Sequence, residues 1–244
     1  MSVVRPARDE GLQRPIERVV DEQQVVRELL QLDGRRILEL GCGRAAHTRA
    51  IARGGPGREV VALEVDEVQH RANLAIDDLP GVRFGLGGAQ RIPEPDTTFD
   101  CVFLFKSLHH VPVSDMDAAL DEVARVLRPS GHAYVSEPLY RDAYNDVLRI
   151  FHDEAEVRRE AHLAIDRALQ RGVLELVSQT FFRADVHFPD FAAFERSVIR
   201  ATHSEHRLDD EQWARTRAAF AAHVGADGAR FEQPIRVDLL RRPR

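Results

Sequence analysis

Arg36-Ile37-Leu38-Glu39-Leu40-Gly41-Cys42-Gly43 is the stretch on which the fold turns. Its first five residues are short, apolar and β-compatible, and two glycines bound them at once, as expected of a buried strand. From Ala45 to Arg53 the pattern becomes helical. A strand that passes through glycines into a helix gathers unpaired backbone N–H groups at one point, because the first turn of a helix leaves its donors free. Glycine also lets a ligand approach the backbone closely.

The same order repeats downstream. Residues 59–65 read as a second buried strand with a helix over 67–77, and Val82-Arg83-Phe84-Gly85-Leu86 as a third strand. Phe99-Asp100-Cys101-Val102-Phe103-Leu104-Phe105 is apolar on both faces, as a central parallel strand should be. A helix over 118–127 and a turn at Pro129-Ser130-Gly131 lead to a fifth strand at 132–136. Strands alternating with helices mean βαβ units and a parallel sheet. Upstream, Ile16, Val19, Val20, Val26, Leu29 and Leu30 fit one face of a helix over 16–32 that ends at Asp33-Gly34, after a loose arm over 1–15. Beyond Pro138, residues 140–178 read as helix almost throughout. Strand candidates follow at 181–188 and 231–240, separated by helices near 190–201 and 209–223.

Composition narrows the function classes. The 244 residues are 43% hydrophobic and 30% charged, which suits one globular domain with a sizeable core. A formal charge of −6 argues against a nucleic-acid partner. No apolar run approaches the roughly 20 residues that span a bilayer, and the start at Met1-Ser2-Val3-Val4 lacks the apolar stretch of a signal peptide. Cys42 and Cys101 are too few for a disulfide framework or a four-thiolate zinc site, so a reduced, cytoplasmic setting is expected. Arg241-Arg242-Pro243-Arg244 reads as a solvated tail, and Lys106 is the only lysine.

By itself the first loop is ambiguous. Gly41-x-Gly43-x-x-Ala46 satisfies the dinucleotide pattern, with Glu64 placed to hold a ribose. Further motifs follow in order: Ala62-Leu63-Glu64-Val65-Asp66, Gly87-Gly88-Ala89-Gln90-Arg91-Ile92-Pro93, Ser107-Leu108-His109-His110-Val111 and Leu127-Arg128-Pro129-Ser130-Gly131. Over these hundred or so residues the chain resembles the class I, Rossmann-like S-adenosylmethionine-dependent methyltransferases of small-molecule type. The resemblance implies an α/β fold with a doubly wound, mostly parallel sheet of seven strands. Residues 181–188 and 231–240 would be strands six and seven, the last antiparallel. A single domain over 1–244 divides into an N-terminal arm and helix (1–32), a cofactor-binding core (33–137), a helical lid (138–178) and C-terminal strands and helices (179–244). The lid and the N-terminal helix are expected to cover the mouth of the site.

The resemblance also implies roles. Glu39, Gly41 and Gly43 would cradle the methionine end of the donor, Glu64 would accept both ribose hydroxyls with Val65 beside it, and Gly88, Ala89 and Gln90 would form the adenine turn. The backbone carbonyl of Lys106 would face the donor's amino group, with its ammonium turned to an anionic group of the substrate or to solvent. Glu39 favours this donor over a dinucleotide, because a carboxylate balances a sulfonium and an ammonium but repels a pyrophosphate. Two positions depart from the family pattern. Ala45 stands where a third glycine is usual and is accommodated if φ stays negative. Gly88 replaces an aspartate that bonds the adenine amino group, a loss on the order of 1 kcal/mol that Ala89 N–H or the Gln90 side chain could make good.

Methyl transfer from a sulfonium is an in-line displacement with an activated donor, so the protein mainly aligns the acceptor, excludes water and removes a proton where needed. His109 and His110, at the rim after the fourth strand, are the candidate catalytic residues; capping or packing of the next helix is the structural alternative. Glu137 is placed to orient a polar acceptor, with Tyr140, Tyr144 and His152 as further substrate-side candidates; a capping carboxylate and half-buried aromatics are the alternative. No metal site is expected, because His203 and His206 lack an evident third ligand and suit a solvated surface. The partner is a small-molecule acceptor, with neither nucleic acid nor membrane, and the oligomeric state stays open, a homodimer included. Two rivals remain, a non-catalytic protein that binds the donor or its product and an NAD(P)-dependent oxidoreductase.

Overall fold

Side-chain alternation along the strands builds two cores, one on each face of a central sheet. In the computed structural model, which describes residues 15–200 and 206–244, strands β1 (Arg36–Leu40), β2 (Glu59–Glu64), β3 (Val82–Leu86), β4 (Phe99–Phe105) and β5 (Leu127–Pro138) run parallel in the order β3-β2-β1-β4-β5. Beyond β5 the sheet continues with β6 (Glu175–Phe188), the two-residue β7 (Val224–Gly225) and β8 (Gly228–Arg241). β8 lies antiparallel between β5 and β6, and β7 folds back on β8. The seven expected strands are present with the last one antiparallel, and β7 makes an eighth.

Leu38, Leu40, Leu63, Val102, Leu104 and Val135 point to one face. There they meet helices α4 (Met116–Val126) and α6 (Ala155–Arg171) through Met116, Leu120, Ala161 and Ile165. Ile37, Val60, Phe103, Phe105 and Tyr134 point to the other face, covered by Val25 and Val26 of α1 (Glu22–Leu29) and Ile51 of α2 (Ala46–Arg53). A short helix α3 (Glu67–Asn73) links β2 to β3, capped by the Asp66 carboxylate. A third apolar cluster lies past the sheet. It joins α5 (Ala143–Leu148), α7 (Phe191–Phe194), the π-helical turn Glu195–Ile199 and α8 (Asp210–Ala221) to Phe188 and Phe231 at the ends of β6 and β8.

Several expectations are corrected. The N-terminal helix starts only at Glu22, where Asp21 caps the N–H of Gln23. Residues before it run extended beside β6, with Val20 N bonded to Arg183 O at 3.1 Å. The loose arm over 1–15 falls, apart from Pro15, outside the described residues. The helical stretch at 138–178 is not one lid. Its larger helix, α6, buries Ala161, Ala164, Ile165 and Ala168 in the same core as α4, so it is a layer of the fold. Gly172 ends it with φ 71°, and β6 begins at Glu175, six residues before the expected start. Half-exposed Ser178-Gln179-Thr180 concealed that part of the strand. Only α5, with the segment after β6, stands at the mouth of the site. The C-terminal arginines are tethered: Arg241 pairs with Glu175 at 2.6 Å, and the Arg242 guanidinium donates to Arg125 O at 3.1 Å.

If α6 belongs to the core, Ile165→Ala lowers global stability by about 2–5 kcal/mol in urea titration. A helix that served only as a lid would leave the midpoint almost unmoved.

Candidate active site

Strand order reverses at β1, whose neighbours β2 and β4 lead their following loops in opposite directions. Such a switch point opens a crevice at the carboxyl ends of the strands. The loops after β1 and β4 are locked together there. Ser107 Oγ donates to Leu40 O at 2.8 Å, and a Cβ on Gly41 would stand 2.8 Å from Ser107 Cβ, so only glycine fits. At Gly43, with φ 50°, a Cβ would meet nothing within 4 Å, which leaves room for a ligand against the backbone.

Two carboxylates face this loop. Glu64, at the end of β2, accepts from Gly43 N at 2.7 Å, Val65 N at 2.8 Å and Asp66 N at 3.0 Å. Glu39 is 1% exposed, and the Thr48 hydroxyl of α2 donates to it at 2.5 Å. Burial, helped by the Glu64 charge, pushes the Glu39 carboxyl up to about 8 against the opposing pull of that hydroxyl. Val65 is 62% exposed beside them, and Ala89 is buried. The turn at 87–91 is tied to β2 through Gly87 N to Glu64 O at 3.0 Å. A Cβ on Gly88 would lie 2.5 Å from Gln90 Oε1, so the Gln90 amide occupies the place of a side chain at 88.

Ala45 overturns an expectation. Its φ is +61°, with no side-chain cap for α2, so a buried alanine holds a left-handed conformation that costs about 1–2 kcal/mol. Lys106, after β4, also has positive φ, 51°. Backbone strain of this kind clusters at ligand sites. The Lys106 side chain, 30% exposed, pairs through its ammonium with the buried carboxylate of Glu22 on α1. Burial pushes Glu22 up, but Lys106 and His47 outweigh it and hold the carboxyl below its usual range. His47 stacks on Phe105 at 4.0 Å, and burial drives its ring down to about 4, leaving it neutral. Sequence reasoning missed Glu22 and Thr48, which come from helices flanking the motifs.

Next to the loop after β4 is a cavity of about 210 Å3 lined by Lys106, His109, His110, Tyr144, His152, Glu154, Arg158 and His206 among others. His109 and His110 sit on a 3-10 turn, Leu108–His110. Glu137, at the end of β5, is buried and does not reach the cavity directly: it pairs with His109 Nδ1 and accepts from Leu108 N at 2.9 Å. Burial pushes the Glu137 carboxyl up, and the His109 charge and hydrogen bond outweigh that and hold it below its usual range. Tyr140 lines a separate cavity with Arg141 and Asn145, whereas Tyr144 stays with the histidines. His152 Nε2 lies 3.1 Å from Glu154 Oε1, and its ring packs on His206 at 4.5 Å. Arg149 caps the end of α5 and pairs with Asp146 at 3.0 Å. His206 thus belongs to the cavity and not to a solvated surface, while His203 lies outside the described residues. Glu154 and Arg158, four residues apart and paired, were missed.

Residues 37–131 match the family model of a methyltransferase domain. Over these residues the chain is similar to the class I methyltransferases. Over 117 residues it is 36% identical to a fatty-acid O-methyltransferase of Mycolicibacterium smegmatis, covering 46% of this chain and 38% of that protein. Over 156 residues it is 31% identical to the 27-O-demethylrifamycin SV methyltransferase of Amycolatopsis mediterranei, covering 62% of this chain and 52% of that one. The chain therefore spans about half or less of the length of these relatives. The YcgJ protein from Bacillus subtilis shares the fold at a TM-score of 0.62 and 16% identity, with 91% of this chain and 97% of that chain covered. The cyclase SpnF does so at 0.57 and 22% identity, with 91% and 79% covered. No described helix is long and apolar enough to cross a membrane.

The cofactor of the family is S-adenosylmethionine, and the residues fit it. Open space at Gly43 and two carboxylates suit a cationic nucleoside.

A raised Glu39 means that the folded state keeps a proton the unfolded chain releases between the ordinary 4.5 of a glutamate and about 8. The stability from Glu39 is therefore complete below the lower value and is lost as pH rises through the upper one. In scanning fluorimetry from pH 5 to 9, Glu39→Gln should flatten the decline in Tm. Parallel profiles for the two proteins would show that Glu39 does not titrate there.

Proposed function

We propose that this chain transfers the methyl group of S-adenosylmethionine to a small-molecule acceptor held in the histidine-lined cavity. One observation carries the donor side of this reading. The Gly43 N–H that a dinucleotide would need for its pyrophosphate is already committed to the Glu64 carboxylate, with a second carboxylate at Glu39 behind it. Two acids at a glycine loop repel a phosphate and attract a sulfonium. In this role Glu39, Gly41 and Gly43 hold the methionine end, and Glu64 holds the ribose through its remaining lone pairs. Val65 offers an apolar surface to the base, with Gly88, Ala89 and Gln90 around it, and Lys106 presents its backbone carbonyl.

The bound donor supplies an electrophilic methyl carbon on a positively charged sulfur. The chain's own task is then to align the acceptor and deal with any proton it loses. His109 and His110 are the catalytic candidates, because they line the acceptor cavity beside Lys106. Glu137 acts as a positioning residue that fixes the His109 ring. Tyr144, His152 and Arg158 shape the cavity, and α5 stands over it. Two unpaired, buried cysteines accord with the cytoplasmic setting expected from sequence.

A donor-binding protein that transfers no methyl group is the second reading. Gly88 favours it, since the chain lacks the family's carboxylate partner for adenine at that position.

S-Adenosylhomocysteine should raise Tm, and NAD should not. Glu64→Ala should weaken the binding of S-adenosylhomocysteine about 10- to 100-fold in calorimetry, as expected for lost charge-assisted hydrogen bonds. No binding of the donor or its product by the wild-type protein sinks the proposal; binding without turnover across a metabolite extract favours the second reading. At pH 7 the sulfonium should draw Glu39 into its ionised form. Calorimetry in buffers of different ionisation heat should then show about one more proton released by S-adenosylmethionine than by the neutral product.

A further inference from the structure

His109, His110 and Glu154 meet at the acceptor cavity from two separate stretches, the turn after β4 and the approach to α6. One ligand atom from each lies within 4.8 Å of the other two. The surroundings prepare these atoms. The Glu137 carboxylate can only accept, so His109 Nδ1 donates in their bond and Nε2 is the ring nitrogen nearest Glu154. Nε2 stands 3.9 Å from Glu154 Oε1, beyond hydrogen-bond reach. Two donors bonded at about 2.0–2.2 Å to one ion stand roughly 3–4.2 Å apart, and the observed gap falls in that range.

The remaining contacts support the same occupant. Arg158 pairs with Glu154 Oε2, while Oε1 faces the histidines. His152 Nε2, 3.1 Å from Oε1, is the next nitrogen within reach. Histidine ligands typically donate their second nitrogen to a carboxylate, which is what Glu137 supplies.

We propose that His109 Nε2, His110 and Glu154 Oε1 bind a divalent first-row transition-metal ion with positions open to the cavity. Imidazole with carboxylate suits zinc or ferrous iron better than magnesium. This replaces the sequence expectation of no metal site, which considered only the pair at 203 and 206. It rests on the methyl-transfer reading and narrows the acceptor to an oxygen nucleophile, a hydroxyl, phenol or enol. The ion binds that oxygen and lowers its pKa. The O–H proton leaves to solvent, the oxygen lone pair forms the new O–C bond, and the C–S bond breaks with its electrons going to sulfur.

The test uses the full chain stripped with chelator and titrated with Co2+, read by visible absorption, and with Zn2+ in competition with a chromogenic chelator. One equivalent of Co2+ should bind with micromolar affinity or better. His110→Ala and Glu154→Gln should each weaken it at least 100-fold, and Glu137→Gln about 10- to 100-fold. Binding of S-adenosylhomocysteine is measured on the same samples. Failure of Co2+ to bind a protein that still binds the nucleoside overturns the metal site and leaves methyl transfer standing. Co2+ binding that survives in the His110 and Glu154 variants also overturns it. Stoichiometric Co2+ binding lost in both variants supports the site even if the nucleoside does not bind, and then the methyl-transfer reading falls instead.

Discussion

Contact between the loops that follow β1 and β4 underlies the rest of the site. Gly41 and Ser107 approach so closely that a single Cβ would break the contact, and the Ser107 hydroxyl closes it on Leu40 O. That contact holds the glycine loop beside the histidine turn. The crevice therefore has a carboxylate-rich side and a histidine-rich side, with Lys106 at their boundary. Positive φ at Ala45 and Lys106 is the backbone cost of bending both loops sharply, offset by the packing of β1 and β4 beneath them.

The charges are arranged with equal economy. Five buried carboxylates, Glu22, Glu39, Glu64, Glu137 and Glu154, surround the crevice, and their partners differ. Glu22 is neutralised by Lys106, Glu137 is matched by His109, and Glu64 is satisfied by three backbone donors. Glu39 has only a hydroxyl, and burial raises its pKa for that reason. A buried carboxylate without a cation is costly. Glu39 is thus the place where a positively charged ligand would relieve the protein most. On the histidine-rich side Glu154 already has Arg158.

The strand–loop–helix core could be read from the chain because its signals are local. Short β-compatible runs of five to seven residues mark β1 to β4 within a residue of their observed limits. The lid was misread because helical periodicity does not say what a helix packs against. Ala161, Ala164 and Ile165 look the same in sequence whether they cover a sheet or a cavity, and only their contact with Met116 and Leu120 decides. The early half of β6 was hidden by its polar, half-exposed residues at 178–180, typical of an edge strand whose alternation carries little apolar signal.

By itself, then, the sequence determined the order of strands and helices, the glycines where the backbone must turn or come close, and the acids that end β1 and β2. These properties lie within a few residues of each other along the chain. Tertiary structure alone decided which distant side chains share a point: Glu22 with Lys106, Glu137 with His109, Thr48 with Glu39, and Glu154 with the histidine pair. Such meetings depend on strand register and on the path of the crossover helices, and neither leaves a mark on any short stretch of residues. Ala45 shows the limit most plainly, since the residue type argued for negative φ and the closing of the loop imposed the opposite sign.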